Sequence, residues 1–166
     1  MIKIFKETDN DSFEIENLYD LTFGPGRRGL TSYQFRTGIN KIAELSLVLR
    51  DQYGVLVGAI RYWPILVGWS RAPNLFLGPI GVHPTRQGEG LGQLLIEKSV
   101  KKAKFLGWKG IILVGDSAYY GRFSFSDEFV SNLYINKKVN TERLLGRELE
   151  RDSLRKLSGP IARWDS

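Results

Sequence analysis

Hydrophobic and polar positions recur at changing periods along the first half of the chain, and these periods predict its elements. In chain order they predict a strand at 2–5, a helix from Asp11 or Ser12 to Phe23, a short helix at 31–37, and strands at 43–50 and 55–67. The glycine-rich segment 23–29 predicts a loop between the two helices. The polar residues 51–54 separate two runs rich in β-favouring residues and predict a hairpin turn.

A strand, a helix and a second strand are predicted in the middle of the chain. Leu75 to His83 predicts a strand after a polar loop at 69–74, and Pro84 helps to end it because the residue before a proline avoids helical geometry. Small and apolar residues repeat at helical spacing from Gly92 to Leu106. The wholly apolar run 110–115 is typical of a buried parallel strand. Together these elements predict one right-handed crossover.

The last third of the chain carries weaker signals. Its pattern predicts a short helix at 116–122, a strand near 123–125, and strands at 144–149 and 160–164 with a charged helical turn between them. We find no internal repeat, low-complexity segment or linker, and 166 residues with 42% hydrophobic content are ordinary for one globular domain. We therefore expect a single domain over residues 1–166.

The composition excludes several kinds of chemistry. The chain has no cysteine, which rules out disulfides, thiolate metal ligands and a cysteine nucleophile. Its single histidine argues against a zinc site, and we expect no metal. The N-terminus is too polar for a signal peptide, and no apolar run approaches the roughly 20 residues of a membrane-spanning helix. We therefore expect a cytoplasmic protein that does not enter a membrane.

The formal net charge of +6 favours an anionic partner, such as a nucleic acid, an acidic surface or a phosphorylated cofactor. The basic residues are spread over four segments, Arg27–Arg28, Lys98–Lys104, Lys137–Lys138 and Arg143–Lys156. None of these segments is the dense basic stripe with interleaved aromatic residues that is typical of nucleic-acid binding. We therefore expect most of these residues to form solvated surface, and we expect no nucleic-acid partner.

A glycine-dense turn precedes the predicted long helix. Gly88, Gly90 and Gly92 follow the strand that ends at His83. Glycines let the backbone approach an anion closely, and the free N–H groups at the start of a helix point towards it. The pattern therefore predicts a phosphate-binding turn, and we favour this over an ordinary helix-entry turn because three glycines fall within five residues.

Two common phosphate-binding turns fit this segment poorly. The glycines are spaced G-x-G-x-G, whereas a dinucleotide-binding Rossmann turn is spaced G-x-G-x-x-G. The crossover also follows a hairpin, and no second mononucleotide-binding half is visible. A P-loop would need Gly-Lys-Ser or Gly-Lys-Thr, which does not follow. A Rossmann oxidoreductase, with Asp116 as its ribose-binding acid, is the competing enzyme class.

Two motifs at a defined separation resemble those of a known family. Ile80-Gly81-Val82-His83-Pro84 followed by Gln87-x-x-Gly90-x-Gly92 resembles the central motif of the GCN5-related N-acetyltransferases (GNAT), and residues 119–125 resemble that family's Tyr-x-x-x-Gly-Phe element. The segment that contains both motifs, residues 75–125, is most similar to a bacterial branch of predicted acetyltransferases. It implies an α/β (α+β) GNAT fold: a central mixed, mostly antiparallel sheet with a β-α-β acetyl-CoA-binding crossover and flanking helices.

The resemblance implies acetyl-CoA as co-substrate, wedged where two central strands separate. The pantetheine arm would pair with backbone groups of Ile80, Gly81 and Val82, and the N–H of Val82 would polarise the thioester carbonyl. The diphosphate would lie on the main-chain amides of the glycine-dense turn, Gln87, Gly88, Glu89, Gly90, Leu91, Gly92 and Gln93.

The resemblance also makes Tyr120 the catalytic acid that protonates the CoA thiolate. The plainer interpretation is an aromatic core residue beside Phe123 and Phe125. Tyr119 is the alternative proton donor.

Several neighbouring residues have open roles at this point. Arg122 is a candidate contact for a CoA phosphate, and Ser124 stands where the family motif has glycine. We expect Asp116 to be a helix N-cap. The base that deprotonates the acceptor is not identified by the sequence: His83, Glu44 and water are all candidates.

The acceptor site is expected opposite the cofactor, in the first helix-to-helix loop and the hairpin. The candidate contacts are Arg27, Arg28, Tyr33, Trp63 and Trp69. Arginines there would suit an acceptor with a carboxylate or phosphate, whereas the plainer interpretation is solvated arginines and packed tryptophans. The resemblance implies direct acetyl transfer to a primary amine of a small molecule or peptide, by a monomer or homodimer. The alternative is a catalytically silent module of the same fold that binds CoA or acyl-CoA.

Overall fold

The computed structural model describes residues 1–135 and 143–166. The strands are β1 (Lys3–Lys6), β2 (Leu47–Arg50), β3 (Leu56–Val67), β4 (Ala72–Val82), β5 (Gly110–Val114), β6 (Leu133–Tyr134), β7 (Leu144–Glu148) and β8 (Gly159–Arg163). The α-helices are α1 (Ser12–Phe23), α2 (Leu91–Phe105) and α3 (Ser117–Tyr120). Short 3-10 helices, at Arg27–Gly29 and Thr31–Phe35 among others, join these elements. The predicted basic pair Lys137–Lys138 lies outside the described residues.

One mixed sheet forms the centre of the fold. Its strand order is β1-β2-β3-β4-β5-β7, and β8 pairs with the far end of β3. Neighbours along the main path are antiparallel except β4 and β5, which are parallel. The predicted fold class, a mixed and mostly antiparallel sheet with flanking helices, is therefore confirmed.

The predicted crossover is the unit β4-α2-β5. The helix α2 turns its apolar side to the sheet, and the buried positions are Leu91, Gly92, Leu95, Ile96, Ser99, Val100 and Ala103. Each fully buried leucine, isoleucine or valine contributes about 1.5–3 kcal/mol. The buried hydroxyl of Ser99 is satisfied, because it lies 2.7 Å from the carbonyl oxygen of Leu95 and 2.7 Å from the hydroxyl of Tyr62. Packing therefore fixes the helix on the sheet.

The two parallel strands β4 and β5 separate soon after they meet. They are paired only at Leu75 with Ile111 and at Phe76 with Ile112. Past this point β4 contains a bulge. Ile60 and Tyr62, two residues apart in β3, pair with Ile80 and Leu77, which are three residues apart in β4. The extra length includes Gly78 and Pro79, and a proline has no N–H to donate to a neighbouring strand. The sheet therefore opens between the C-terminal ends of β4 and β5.

Buried donors satisfy the carbonyl groups of this bulge. The indole N–H of Trp63 donates to the carbonyl oxygen of Gly78 at 2.6 Å, and the hydroxyl of Tyr19 donates to that of Pro79 at 3.2 Å. An unpaired buried carbonyl would destabilise the bulge by about 1–3 kcal/mol. Trp63 and Tyr19 therefore hold the strand in its open shape from β3 and from α1.

The structure differs from the sequence prediction at residues 123–125, where we expected a strand. Residues Gly121–Phe123 form a 3-10 helix, and Ser124 has a left-handed φ of 65°. The buried rings of Phe123 and Phe125 explain the error, because alternate hydrophobic residues at a turn mimic the period of a strand. An isolated bridge between Ser126 and Gly146 follows this segment, and the Arg147 side chain of β7 donates to the carbonyl oxygen of Phe123 at 2.8 Å.

Smaller differences concern element ends. The short helix predicted at 31–37 is the 3-10 helix Thr31–Phe35, and the first part of the strand predicted at 43–50 is a 3-10 helix, Ala43–Leu45. The polar loop predicted at 69–74 is a tight turn, because β4 begins already at Ala72. The left-handed φ angles of Gly68 and Arg71 make so short a reversal possible.

Candidate active site

The start of α2 presents unpaired backbone amides to one side of the opened sheet. Gly90 is the N-cap with a φ of 79°, and no side chain of the described residues caps the helix. The N–H of Leu94 is the first to donate within the helix, to the carbonyl oxygen of Gly90 at 3.0 Å. The N–H groups of Leu91, Gly92 and Gln93 therefore point out of the helix start, where the helix dipole also favours an anion.

A cleft of about 580 Å³ lies in front of these amides. We call it the amide cleft, and its lining residues are Thr22, Ile80, Val82, Arg86, Gln87, Gly88, Gly90, Leu91, Gly92, Gln93, Tyr119, Tyr120 and Arg122. The structure thus brings together eight of the ten residues predicted to bind the cofactor. Gly81 and Glu89 are not among the lining residues.

The backbone of β4 offers further hydrogen-bonding groups to this cleft. The N–H of His83 donates to the carbonyl oxygen of Val57 in β3 at 2.9 Å. Backbone groups alternate in direction along a strand, so those of Val82 and Ile80 face away from β3 and into the gap left by β5. Those of Gly81 face β3. A glycine fits at this position because a Cβ would lie 3.1 Å from the Tyr19 ring, which is too close for ordinary packing.

Two arginines at the amide cleft differ in their surroundings. Arg86 forms two hydrogen bonds to the carboxylate of Glu89, at 2.7 and 3.0 Å, and lies 3.7 Å from that of Asp51. Arg122 stacks on the ring of Tyr119 at 4.9 Å and has no ion-pair partner among the described residues. The sequence predicted a phosphate contact for Arg122 but not for Arg86, although Arg86 directly precedes the glycine-dense turn.

Tyr120 stands at the end of the short helix α3. The helix is capped as predicted, since the N–H of Ala118 donates to the carboxylate of Asp116 at 3.0 Å. The Tyr120 ring packs edge-on against the rings of Tyr119, at 4.9 Å, and Phe125, at 6.1 Å. Burial raises the pKa of the Tyr120 phenol above its ordinary value, and the neighbouring Tyr119 adds to the effect. The phenol is therefore protonated at neutral pH.

A second cleft, of about 270 Å³, lies on the other side of the separated strands. We call it the Arg143 cleft, and its lining residues are Phe23, Leu30, Thr31, Ser32, Leu77, Gly78, Pro79, Ile80, Val114, Gly115, Asp116, Tyr120 and Arg143. Ile80 and Tyr120 line both clefts. A group that reaches Tyr120 from one cleft can therefore meet a group that enters from the other.

The predicted acceptor contacts do not line either cleft. Tyr33 and Trp63 are buried, whereas Arg28 and Trp69 are exposed elsewhere. Arg27 is only 1% exposed, and its guanidinium donates to Asp20 at 2.7 Å, to Tyr33 at 2.5 Å and to Glu16 at 2.5 Å. From the same part of the chain, Leu30, Thr31 and Ser32 are the residues that line the Arg143 cleft.

Arg27 belongs to a buried charge network that ties this loop to the sheet. Glu16 also accepts from Arg61 at 2.9 Å, and Arg61 donates to Glu7 at 2.8 Å. Burial alone would raise the pKa of Glu16, but hydrogen bonds from Arg27 and Arg61 outweigh it and lower that pKa to about 2. The network therefore positions the wall of the Arg143 cleft through ion pairs.

The two side chains considered as bases lie outside both clefts. The Nδ1 of His83 is within 2.8 Å of the Thr85 hydroxyl, and Glu44 is exposed in a 3-10 helix before β2. Asp116 is the carboxylate that does line the Arg143 cleft. No group of three or more histidine and acidic side chains suited to a metal is found in the described ranges.

These features define an α/β domain that can hold a phosphate-bearing ligand across a separated pair of parallel strands. The sequence profile described as "Acetyltransferase (GNAT) family" matches residues 13–123. Since this match covers more than half of the chain, the chain belongs to the GNAT family of acetyltransferases. The family predicted from the two motifs is thereby confirmed.

Solved structures support the same fold. The N-acetyltransferase YhbS of Escherichia coli, solved in complex with CoA, superposes with a TM-score of 0.82 at 21% identity, over 96% of this chain and 88% of that one. A GNAT acetyltransferase of Brucella melitensis, solved with acetyl-CoA, gives a TM-score of 0.72 at 27% identity, over 98% and 95% of the two chains.

The sequence match to curated relatives covers a shorter part of the chain. The chain is 27% identical over 81 residues to the uncharacterized N-acetyltransferase YhbS of Escherichia coli K12. The match spans 49% of this chain and 48% of that relative, about half of each. Separately, none of the helices in residues 1–135 and 143–166 is both long and apolar enough to cross a bilayer.

Proposed function

We propose that this chain transfers the acetyl group of acetyl-CoA to a primary amine. The observation that carries the proposal is that the amide cleft and the Arg143 cleft meet at Ile80 and Tyr120. A cofactor in one cleft and an amine in the other would bring their reacting atoms together beside the Tyr120 phenol. The CoA complexes of the Escherichia coli and Brucella melitensis relatives support this choice of cofactor.

The amide cleft suits the diphosphate, the pantetheine arm and the thioester of acetyl-CoA. Its diphosphate needs several N–H donors, which the helix start supplies at Leu91, Gly92 and Gln93. The pantetheine arm carries amides of its own, which can pair with the outward backbone groups of Ile80 and Val82 as an added strand would. The N–H of Val82 would then polarise the thioester carbonyl as it gains negative charge.

Tyr120 is the proposed acid in this reaction. The neutral amine attacks the thioester carbon, the N–C bond forms, and the C–S bond breaks as the tetrahedral intermediate collapses. The sulfur leaves with a proton from the Tyr120 phenol. The amine nitrogen releases a proton to solvent, and the phenol then regains a proton from solvent. A chain without cysteine has no thiol to carry the acetyl group, which favours direct transfer.

Ligand binding separates this proposal from the Rossmann alternative. Acetyl-CoA at about 100 times its dissociation constant should stabilise the protein by about 2.7 kcal/mol, which a thermal-shift assay detects. NADH should leave the melting temperature unchanged. Stabilisation by NADH and not by acetyl-CoA would overturn the proposal.

Turnover separates an enzyme from a silent binding module. Free CoA thiol should appear when the protein, acetyl-CoA and a panel of amines are mixed. Tyr120→Phe should lower kcat by about 100-fold with little change in acetyl-CoA affinity. Tyr134→Phe is the matched control, because Tyr134 lies on the surface strand β6 away from both clefts. Full activity in Tyr120→Phe would show that Tyr120 is not the acid. Binding of acetyl-CoA without turnover of any amine would favour the silent module.

A further inference from the structure

The Arg143 cleft is small. Its volume of about 270 Å³ is below the roughly 300–1,000 Å³ typical of sites for drug-sized ligands. Much of its wall is apolar, from residues of α1, the following loop, β4 and β5: Phe23, Leu30, Leu77, Pro79 and Val114. The size therefore favours an acceptor of about the dimensions of an amino acid.

Arg143 presents a cation to this cleft from a fixed backbone position. The N–H of Gly115 donates to the carbonyl oxygen of Arg143 at 2.8 Å, and Val114 pairs with Leu144 in the sheet. The Arg143 side chain is exposed, and no carboxylate of the described residues forms an ion pair with it. A guanidinium in this setting suits a carboxylate, which it can bind through two parallel hydrogen bonds.

Asp116 presents the opposite charge to the same cleft. One of its carboxylate oxygens accepts from the N–H of Ala118, and the carboxylate has further acceptor sites left. No basic side chain among residues 1–135 and 143–166 forms an ion pair with it. Tyr120, which reaches both clefts, is four residues further along the chain. An ammonium on Asp116 would therefore lie at the reacting end of the cleft.

We infer that the acceptor is a small zwitterionic amine, which binds with its ammonium on Asp116 and its carboxylate on Arg143. The ammonium loses one proton to solvent before the neutral amine attacks the thioester. The inference rests on the proposed function and adds the class of acceptor. The hydroxyls of Thr31 and Ser32 supply further hydrogen-bonding groups for such a molecule. A polyamine fits poorly, since a second cation would face the Arg143 guanidinium.

The test compares acceptors that differ only in their carboxylate. CoA release is measured with a panel of amino acids, each alongside its amide and its decarboxylated amine. The wild-type protein should prefer the acid over the decarboxylated amine by about tenfold or more in kcat/KM, the range expected for a hydrogen-bonded charge pair. Arg143→Gln should remove this preference, mainly by raising KM for the acid, and Arg143→Lys should restore part of it.

Arg151→Gln is the matched control, because it makes the same charge change at an exposed residue outside both clefts. Calorimetry with acetyl-CoA verifies that each variant is folded. Equal or better turnover of the decarboxylated amines, or an unchanged preference in Arg143→Gln, would overturn the inference. No turnover of any acid by protein that binds acetyl-CoA would also overturn it. Failure to bind acetyl-CoA at all is the distinct result that defeats the proposed function.

Discussion

The ring of Tyr120 occupies the space that a side chain on Gly115 would need. A Cβ built on Gly115 would lie 2.5 Å from Cε2 and 2.9 Å from Cδ2 of Tyr120. Gly115 directly follows β5 and is held to Arg143 by a backbone hydrogen bond of 2.8 Å. The absence of a side chain at the strand end therefore lets the Tyr120 ring stand between the two clefts.

A methyl group at Gly115 should displace the phenol. We expect Gly115→Ala to lower kcat by about 100-fold, the cost of moving a catalytic group by about 1 Å. The amide cleft does not include Gly115, so acetyl-CoA affinity, measured by calorimetry, should stay near that of wild type. Gly29→Ala is the control, because a Cβ there meets no atom within 4 Å. Unchanged kcat in Gly115→Ala would show that the position of Tyr120 does not limit the reaction.

The left-handed backbone at Gly90 should be needed for cofactor binding. Its φ is 79°, and a Cβ would meet nothing within 4 Å, so backbone strain of about 1–2 kcal/mol is the main effect of Gly90→Ala. Relief of that strain would turn the amides at the helix start, and we expect weaker acetyl-CoA binding by calorimetry. Gly26→Ala is the matched control, since Gly26 is equally open but has a φ of −83°. Equal affinities in the two variants would contradict the role of the turn.

The proposed acid should remain protonated at alkaline pH. Because burial raises the pKa of Tyr120 above its ordinary value of 10.0, the proton-donating form persists from pH 7 to 9. We therefore expect kcat, measured at saturating acetyl-CoA, to show no loss over this interval from ionisation of Tyr120. A fall in kcat below pH 9 that is present in wild type and absent from the residual activity of Tyr120→Phe would contradict this assignment.

The buried network should make stability depend on acid pH. The folded-state pKa of Glu16, about 2, lies below its ordinary value of 4.5. The stabilisation is therefore complete above about pH 4.5 and is lost as the pH falls towards 2. Glu16→Gln should lower the free energy of unfolding by about 2 kcal/mol at pH 7, the scale of hydrogen bonds to charged groups. This difference should shrink at pH 3.

Urea denaturation of wild type and Glu16→Gln at pH 7 and pH 3 provides the measurement. Glu128→Gln is the control, since the Glu128 side chain is exposed and forms no ion pair with the described residues. A loss in Glu16→Gln that is the same at both pH values would mean that the charge of Glu16 does not contribute to the network.

Local patterns in the sequence predicted the part of the fold that is proposed to bind the phosphate. The apolar run that became β4, the helical spacing of α2 and the three glycines between them are signals carried by neighbouring residues. Backbone preferences of glycine and the helical period act within a few residues, so no distant contact is needed to interpret them. The N-cap role of Asp116 was predictable for the same reason.

Other features depend on residues that are far apart in the chain. Arg27 lies in a loop by sequence, yet it is buried because Glu16 and Asp20 of α1 accept its hydrogen bonds. Arg61 meets Glu7 across 54 positions of sequence. A turn replaced the strand expected at residues 123–125, and its two phenylalanines, Phe123 and Phe125, pack into the core. The local period of hydrophobic residues does not depend on such distant partners, so it cannot predict them.

The sequence by itself therefore determined the crossover, its glycine-dense turn and the family to which the two motifs belong. Only the tertiary structure decided that Tyr120 lies between two clefts, and that Arg143 and Asp116 line the second of them. The physical reason is the opening between β4 and β5. It arises where a bulge in β4, held by Trp63 of β3 and by Tyr19 of α1, ends the pairing of β4 with β5.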